Sequence, residues 1–180
     1  MRLLDRAPAS GLSLRTIARE VGVAPPSVYS QFPDARAMLE FVARECWQQL
    51  ADAMGLAEDQ CAESATSLKR LKAQLAGFVS YAMERPSRYQ LLFGFLVDTG
   101  ALPDEPGLLQ PVYRSVLRGV RAIGDDGMPF AADDPITATL QIISLAHGRV
   151  ALAHLAPRHP GNTPAAIIAF VHSAIERLFD

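Results

Sequence analysis

Hydrophobic residues recur along most of the chain at the three- and four-residue spacing of an amphipathic helix. Three stretches show this spacing, with apolar positions at Leu39, Val42, Cys46 and Leu50, at Leu68, Leu71, Leu75, Phe78 and Ala82, and at Ile168, Val171, Ile175 and Leu178. The third stretch follows Thr163 and Pro164, which suit the N-cap and the first helical position. The pattern therefore predicts three amphipathic helices.

The segment from 136 to 154 has a different pattern, because it is apolar on nearly all sides and rich in small residues. A helix of this kind needs cover on both sides, so we expect it to be buried or interfacial. Gly and Pro break the helical stretches, notably at Arg85-Pro86 and across residues 124–135. The β-branched residues sit inside helical patterns rather than in the alternation of a strand. The sequence predicts an all-α fold with eight or nine helices.

Composition narrows the class of protein. The chain has 180 residues, of which 49% are hydrophobic and 20% charged, which is typical of one globular domain with or without a small second module. We expect no membrane span and no signal peptide, and the two cysteines, fifteen residues apart, form no Cys-x-x-Cys pair. These features favour a reducing, cytoplasmic setting.

Charge is distributed unevenly along the chain. Residues 1–36 contain five arginines and three acidic residues, hence +2, and since the whole chain carries −2 the remaining residues carry −4. Nearly all basic residues are arginines, whose planar guanidinium suits phosphate and guanine. The N-terminal end is therefore the part of the chain that tolerates an anionic partner.

Residues 13–32 have the pattern of a helix-turn-helix. Ser13 can cap a short helix, Gly22 can end it in the left-handed conformation, and Pro25-Pro26 can open a second helix. The second helix would present four side chains outward toward DNA, namely Ser27, Tyr29, Ser30 and Gln31. The pattern therefore predicts a DNA-binding segment near the start of the chain.

This segment resembles the tetracycline-repressor (TetR/AcrR) family. Its signature matches here at Ile17-Ala18, Val21-Gly22-Val23-Ala24, Tyr29-Ser30-Gln31-Phe32 and Pro33-Asp34-Ala35-Arg36-Ala37-Met38-Leu39. Further along, residues 83–94 and His147-Gly148 look like the family branch whose C-terminal domain carries a Trp-His-Gly motif. Family members normally have a full helix before the motif, of which residues 1–5 would be the last turn.

The resemblance implies an all-helical homodimer with a DNA-binding domain over residues 1–40 and a ligand-binding and dimerisation domain over residues 41–180. The second domain would bind a small inducer and pair through its last two long helices. It also implies DNA contacts: Ser13 and Tyr29 with phosphates, Gln31 at the position of a phosphate-contacting His, and Arg15, Pro25, Pro26 and Ser30 near bases. Two positions depart from the family pattern. Ala24 replaces a Ser/Thr cap and Ala35 replaces a phosphate-binding Lys, for which the neighbouring Arg36 can substitute.

Aromatic residues in the middle of the chain suggest a cavity for an apolar or aromatic effector. The candidate ligand-binding residues are Phe78, Tyr81, Tyr89, Phe93, Tyr113 and His147, and Trp47, Met83 and Phe130 belong to the same aromatic and methionine-rich set. For each single aromatic residue an ordinary hydrophobic core is the more common explanation, and for His147 a hydrogen-bonded core histidine remains an alternative.

Little in the sequence favours catalysis. No nucleophile elbow, phosphate-binding loop or zinc-protease motif is present, and the acidic pairs Asp125-Asp126 and Asp133-Asp134 fall in a turn-rich stretch where we expect them to be solvated. We expect no metal and no cofactor. Cys46 lies on an apolar stripe and should be buried, whereas Cys61 is the better candidate for a reactive thiol.

The combined expectation is a cytoplasmic, dimeric, ligand-responsive transcriptional regulator, a repressor that binds a palindromic operator and is released by a small apolar or aromatic effector. Two alternatives stay open at this point. One is a small-molecule-binding dimer with a degenerate DNA-binding domain. The other is an all-α enzyme that uses His147 in an aromatic pocket.

Overall fold

The computed structural model describes residues 18–19, 22, 24, 26, 30–98, 110–128 and 134–179, with the side chains of 94–98 and 110 excepted. The elements in chain order are α1 (Ala35–Asp59), α2 (Ser67–Glu84), α3 (Pro86–Asp98), α4 (Gln110–Asp125), α5 (Pro135–Leu155), a 3₁₀ turn (Pro160–Asn162) and α6 (Pro164–Glu176). The described residues contain no strand, which confirms the all-α prediction. The helices expected before residue 35 lie mostly outside the described residues.

Local sequence signals account for most helix ends. The Thr163 side chain accepts a hydrogen bond from the Ala166 amide at 3.2 Å, and Pro164 opens α6 as predicted. Arg85 separates α2 from α3, which begins at Pro86. Asp34 accepts from the Ala37 amide at 2.7 Å and thereby caps α1. These caps satisfy amide groups that have no partner inside their own helix.

The acidic residues between α4 and α5 were expected to be solvated, and Asp126 is exposed and Asp134 partly exposed, but both side chains also accept hydrogen bonds at helix starts. Asp134 caps α5 by accepting from the amides of Ile136 at 2.7 Å and Thr137 at 3.1 Å. Asp126 accepts from the Ser67 amide at 3.2 Å, so it serves the N-terminus of α2 from 59 positions away. Both carboxylates meet orphan amide donors, which are the preferred partners of an acidic side chain at a helix start.

The chain forms two compact units, one comprising Met1–Gln48 with Arg85–Leu108 and the other Gln49–Glu84 with Leu109–Asp180. The first half of α1 belongs to the first unit and its second half to the second. The predicted domain boundary after residue 40 stays a prediction.

In the first unit, the described core begins where the helix-turn-helix segment meets α1. Ala18 and Met38 are buried together, with Phe32 and Leu39 packed against them. Further along α1, Cys46 is buried as predicted, and so is Trp47. The apolar face of α1 therefore holds this unit together.

In the second unit, α2 packs against α4, α5 and α6, and α5 packs against α4 and α6. The apolar stripe predicted for α2 is buried at Leu71, Leu75, Phe78 and Ala82. Two glycines permit close approach of neighbouring helices. A Cβ on Gly77 would lie 2.6 Å from the carbonyl oxygen of Ala53, and one on Gly119 would lie 3.0 Å from the Leu71 side chain.

Helix α5 is covered on one side only within the single chain, so the expectation of cover on both sides is not met there. Its buried residues are Ala138, Thr139, Ile142, Ile143, Ala146, Val150 and Ala153. By length and composition α5 is the one described helix that is long and apolar enough to cross a membrane, which by itself is weak evidence for a span. Core helices of globular proteins pass the same test.

Candidate DNA-binding, effector and interface sites

The turn of the predicted helix-turn-helix has the backbone that its sequence requires. Gly22 adopts φ +75°, the left-handed conformation that ends a helix, and its amide donates to the Arg19 carbonyl at 3.3 Å. The Ser30 amide donates to the Pro26 carbonyl at 3.0 Å, which is one turn of the second helix. The predicted end of the first helix at Gly22 is therefore confirmed.

Four of the nine residues predicted to contact DNA are described, and all four are exposed: Pro26, Ser30, Gln31 and Arg36. Arg36 lies in the first turn of α1, directly after the cap formed by Asp34. An exposed guanidinium beside the positive end of a helix dipole suits a phosphate group. The other five, Ser13, Arg15, Pro25, Ser27 and Tyr29, lie outside the described residues.

The six predicted ligand-binding residues divide between the two units. Phe78 and Tyr81 are buried on α2, and Tyr113 on α4 and His147 on α5 are half-buried, all in the second unit. Tyr89, which is buried, and Phe93, which is half-buried, lie on α3 in the first unit. Phe130 of the same aromatic set lies outside the described residues.

Burial favours the neutral form of His147 and His154 in the second unit. It lowers the pKa of His147 below its usual value. Burial also lowers the pKa of His154, although a hydrogen bond with the backbone of Ala82 acts in the opposite direction. A neutral imidazole can donate and accept hydrogen bonds in apolar surroundings. Among the described residues, no group of three or more His, Cys, Asp or Glu side chains could hold a metal ion.

An aromatic cluster in the first unit joins α1 to α3. The rings of Trp47 and Phe93 meet nearly edge-on with centroids 5.2 Å apart, and the Tyr89 and Phe93 centroids are 4.7 Å apart. Burial raises the pKa of Tyr89 far above its usual value, so this hydroxyl stays protonated. The cluster is an apolar environment that opposes negative charge.

Trp47 is 1% exposed, and its indole Nε1 has no hydrogen-bond partner among the described residues. A buried donor left without an acceptor costs about 1–3 kcal/mol, and such groups are rare in folded proteins. The sequence pattern placed Trp47 in the aromatic set but carried no signal that its N–H would lack an acceptor.

A buried polar network connects α1, α2 and α4 in the second unit. Gln74 is fully buried, and its Nε2 donates to Glu58 Oε2 at 2.7 Å. Its Oε1 accepts from Ser115 Oγ at 3.3 Å, and Arg118 Nη2 donates to the same Glu58 oxygen at 3.0 Å. Sequence reasoning missed this network. The signal was available, because Gln74 is a polar residue on the buried stripe between Leu71 and Phe78.

Helices α5 and α6 leave an apolar surface exposed. Five large hydrophobic side chains of these helices are between 46% and 83% exposed, namely Ile136, Leu140, Leu152, Leu155 and Phe170. The Arg149 guanidinium lies 5.8 Å from the centre of the Phe170 ring and donates to the Gly161 carbonyl at 2.6 Å. Exposed clusters of this kind mark surfaces that meet another macromolecule.

Comparison with protein families places the second part of the chain. Residues 71–178 match the family described as tetracyclin repressor-like, C-terminal domain. These residues include most of α2 and all of α3 to α6. The narrower resemblance to the Trp-His-Gly branch is not confirmed by this match.

HTH-type transcriptional regulators of Mycobacterium bovis and Mycobacterium tuberculosis are 29% identical to the chain over 123 residues. The aligned region covers 68% of this chain and 48% of each regulator. The chain therefore spans about half the length of the curated relatives it matches.

Solved structures share the fold. A Rhodococcus protein of unknown function superposes with a TM-score of 0.75 at 22% identity, covering 98% of this chain and 90% of that protein. A bacterial regulatory protein in the TetR family from Rhodococcus gives 0.71 at 17% identity, with 95% and 87% covered. A TetR family transcriptional regulator from Thermus thermophilus gives 0.65 at 16% identity, with 96% and 91% covered.

Proposed function

The chain belongs to the tetracycline-repressor-like family through its C-terminal domain, and from that membership we propose that it is a DNA-binding transcriptional regulator of the cytoplasm that responds to a small effector. The observation that carries the DNA-binding part is the turn at Gly22. A left-handed glycine ends one helix, the Ser30 amide donates to the Pro26 carbonyl, and Ala18 packs with Met38 of α1. Relatives named HTH-type transcriptional regulators support this assignment.

The DNA surface consists of exposed polar and basic groups around the second helix and the start of α1. Gln31 and Arg36 would bind phosphates, and Pro26 and Ser30 would approach base edges, together with the predicted contacts Ser13, Arg15, Pro25, Ser27 and Tyr29. Phosphate contacts supply affinity and a few base contacts supply specificity.

Dimerisation would use the exposed apolar surface of α5 and α6. A second copy of the chain related by twofold symmetry would bury Leu140, Leu152 and Phe170 against their equivalents. This pairing supplies the second side of cover that the pattern of α5 predicts. Two recognition helices about 34 Å apart would then enter successive major grooves of a palindromic operator.

The dimer would repress transcription while bound to the operator, and effector binding would release it from the DNA. An apolar or aromatic compound would stabilise a form of the dimer that no longer fits the operator. It would be held by predicted ligand-binding residues of one unit, either Phe78, Tyr81, Tyr113 and His147 of the second or Tyr89 and Phe93 of the first. Such a compound shifts the equilibrium only by its differential affinity for the two forms. Neutral His147 suits a compound without charge.

Fluorescence anisotropy tests the DNA-binding part. The purified chain is titrated against labelled duplex from the region upstream of its own gene and against scrambled duplex, at two salt concentrations. Arg36→Ala should weaken binding to both duplexes and lower the salt slope by about 1, because one phosphate contact is lost. Arg158→Ala is the matched control, because Arg158 is also an exposed arginine but belongs to the second unit and is far in sequence from the predicted DNA-binding residues.

The proposal is supported if the upstream duplex is bound more strongly than the scrambled one. It is also supported if Arg36→Ala weakens DNA binding and Arg158→Ala does not. Equal and feeble binding to both duplexes would overturn it. If a small molecule still binds the dimer tightly in that case, the alternative with a degenerate DNA-binding domain is favoured. Ala24 in place of a Ser/Thr cap and Ala35 in place of a phosphate-binding Lys are the observations that suggest this alternative.

A further inference from the structure

Among the described residues, the indole N–H of Trp47 has no hydrogen-bond partner. An indole N–H donates one hydrogen bond and accepts none, so only an acceptor atom can satisfy it. Trp47 is 1% exposed, and no described residue supplies that acceptor. Folded proteins pair nearly all buried donors, and an exception calls for a physical explanation.

The described surroundings of Trp47 are aromatic. Phe93 meets the indole nearly edge-on at 5.2 Å, and Tyr89 packs on Phe93 at 4.7 Å. Phe93 is half-buried, so the cluster reaches toward the surface along α3. Aromatic walls with one convergent polar group are typical of sites for small organic molecules.

We propose that Trp47 Nε1–H is the hydrogen-bond donor of an effector subsite formed with Phe93 and Tyr89, and that this subsite takes compounds with a flat apolar body and one neutral acceptor, such as a ketone or ester carbonyl. The proposal rests on the proposed function, because it makes this compound the effector. A neutral acceptor satisfies the donor without bringing a charge into the cluster. The effector class thereby narrows from apolar or aromatic compounds in general to those with a neutral carbonyl.

A matched pair of probes isolates the carbonyl. 1-Indanone and indane share the same fused-ring body, and only 1-indanone carries an acceptor. Binding of each is measured by calorimetry on the full chain without DNA, for the wild type and for Trp47→Phe, which keeps an aromatic ring and removes the N–H. The ratio of the two dissociation constants is compared between the wild type and the variant, so that the difference in hydrophobicity between the probes cancels.

The expected result is that the preference for 1-indanone falls by about five- to tenfold in Trp47→Phe, which is the size of one neutral hydrogen bond. Phe93→Leu is the matched control, because it alters the aromatic wall and keeps the N–H. It should weaken both probes and leave their ratio unchanged. An unchanged ratio in Trp47→Phe overturns the proposal, and so does failure of both probes to bind the wild type up to about 1 mM.

A second measurement needs no substitution. Trp47 is the only tryptophan of the chain, so a nitrogen-15-labelled sample has one indole N–H resonance. 1-Indanone should shift the proton resonance of this N–H to lower field and slow the exchange of the N–H with water. Indane should cause no shift to lower field. A resonance that responds alike to both probes overturns the proposal even if Trp47→Phe does not fold.

The DNA assay separates the two proposals. If 1-indanone binds with the expected dependence on Trp47 and weakens binding to the upstream duplex, the subsite serves the effector. If it binds with that dependence and leaves DNA binding unchanged, the ligand subsite stands and its role as the effector site is wrong. If the upstream duplex is not bound at all, the regulator proposal fails while the probe ratio still decides the subsite.

Discussion

In its second half α1 approaches α2 so closely that Gly77 has no room for a side chain, and the polar groups there are hydrogen-bonded. In its first half α1 is held by aromatic contacts, and the buried N–H of Trp47 has no described acceptor. Polar groups are buried beside both halves, and burying a polar group costs free energy unless a hydrogen-bond partner is present. Gln74 finds its partners inside the chain, whereas we infer that Trp47 finds its partner in a small molecule.

This comparison separates stability from function within one helix. The packing of the second half is strongly constrained. Gln74 and Glu58 must meet to form their hydrogen bond, and Gly77 allows the backbone of α2 to lie close to that of α1. The first half contains the Trp47 N–H, for which we infer an acceptor on a small molecule. Binding sites commonly contain a polar group that is paired only when the ligand is bound. Substitutions should therefore affect folding most where α1 meets α2.

The largest expected effect is that of Gly77→Ala. Its new Cβ would lie 2.6 Å from the carbonyl oxygen of Ala53, which is backbone and cannot rotate away. We expect a loss of about 2–3 kcal/mol in the free energy of unfolding, measured by urea denaturation. Gly55→Ala is the matched control on α1, where a Cβ meets nothing within 4 Å. It should stabilise the protein by about 0.5–1 kcal/mol, and equal effects of the two would refute the close approach.

The next effect is that of Gln74→Ala. The substitution removes both hydrogen bonds of a fully buried side chain, leaves a cavity and deprives Glu58 of one donor. We expect a loss of about 2 kcal/mol in the free energy of unfolding, from denaturation of the purified variant. Arg118→Ala removes the other donor to Glu58, but this guanidinium is 67% exposed, so less than about 1 kcal/mol should be lost. A larger loss from Arg118→Ala would show that the ion pair, and not the buried amide, holds the network.

The smallest effect is that of pH on the second unit, which contains every histidine of the chain. Burial lowers the folded-state pKa of His147, His154 and His172, while for His172 a hydrogen bond with the Lys72 carbonyl and the charge of Glu176 raise it and the charge of Lys72 lowers it. Below their unfolded pKa of about 6.5 the unfolded chain therefore binds more protons than the folded one. The free energy of unfolding should fall as the pH is lowered from about 7.5 to about 5.5.

Urea denaturation at the two pH values checks this. Asp134 and Glu176 do not confuse the result, because hydrogen bonds lower the pKa of both carboxyls and their contribution is lost only at more acidic pH. Stability that is constant or rises across the interval would contradict the assigned direction of the histidine pKa values.

Several elements were predictable because their signals are local. The spacing of Leu71, Leu75 and Phe78 predicted a buried helical stripe, and Thr163-Pro164 predicted the start of α6. The glycine at position 22 predicted a left-handed helix end. In each case residues within a few positions of one another determine the backbone, so a single sequence contains the information.

The candidate sites were predictable in part. The motif around Gly22 identified the DNA-facing segment, but composition alone could not divide the aromatic residues between two units or separate ligand contacts from core. Helix α5 was expected to need cover on both sides, and the single chain covers one. The second side depends on what the molecule binds, which the pattern of one chain does not specify.

By itself the sequence determined the helical periods, their breaks and their caps, because these depend on neighbouring residues. Only the tertiary structure decided that Glu58 would meet Gln74 and Arg118, 16 and 60 positions away, and that Asp126 would cap α2. It also decided that Trp47 would be buried beside Phe93, with no acceptor for its N–H in the part of the chain that the structure describes. Contacts between distant positions follow from how helices pack, and many packings share one pattern of apolar and polar residues.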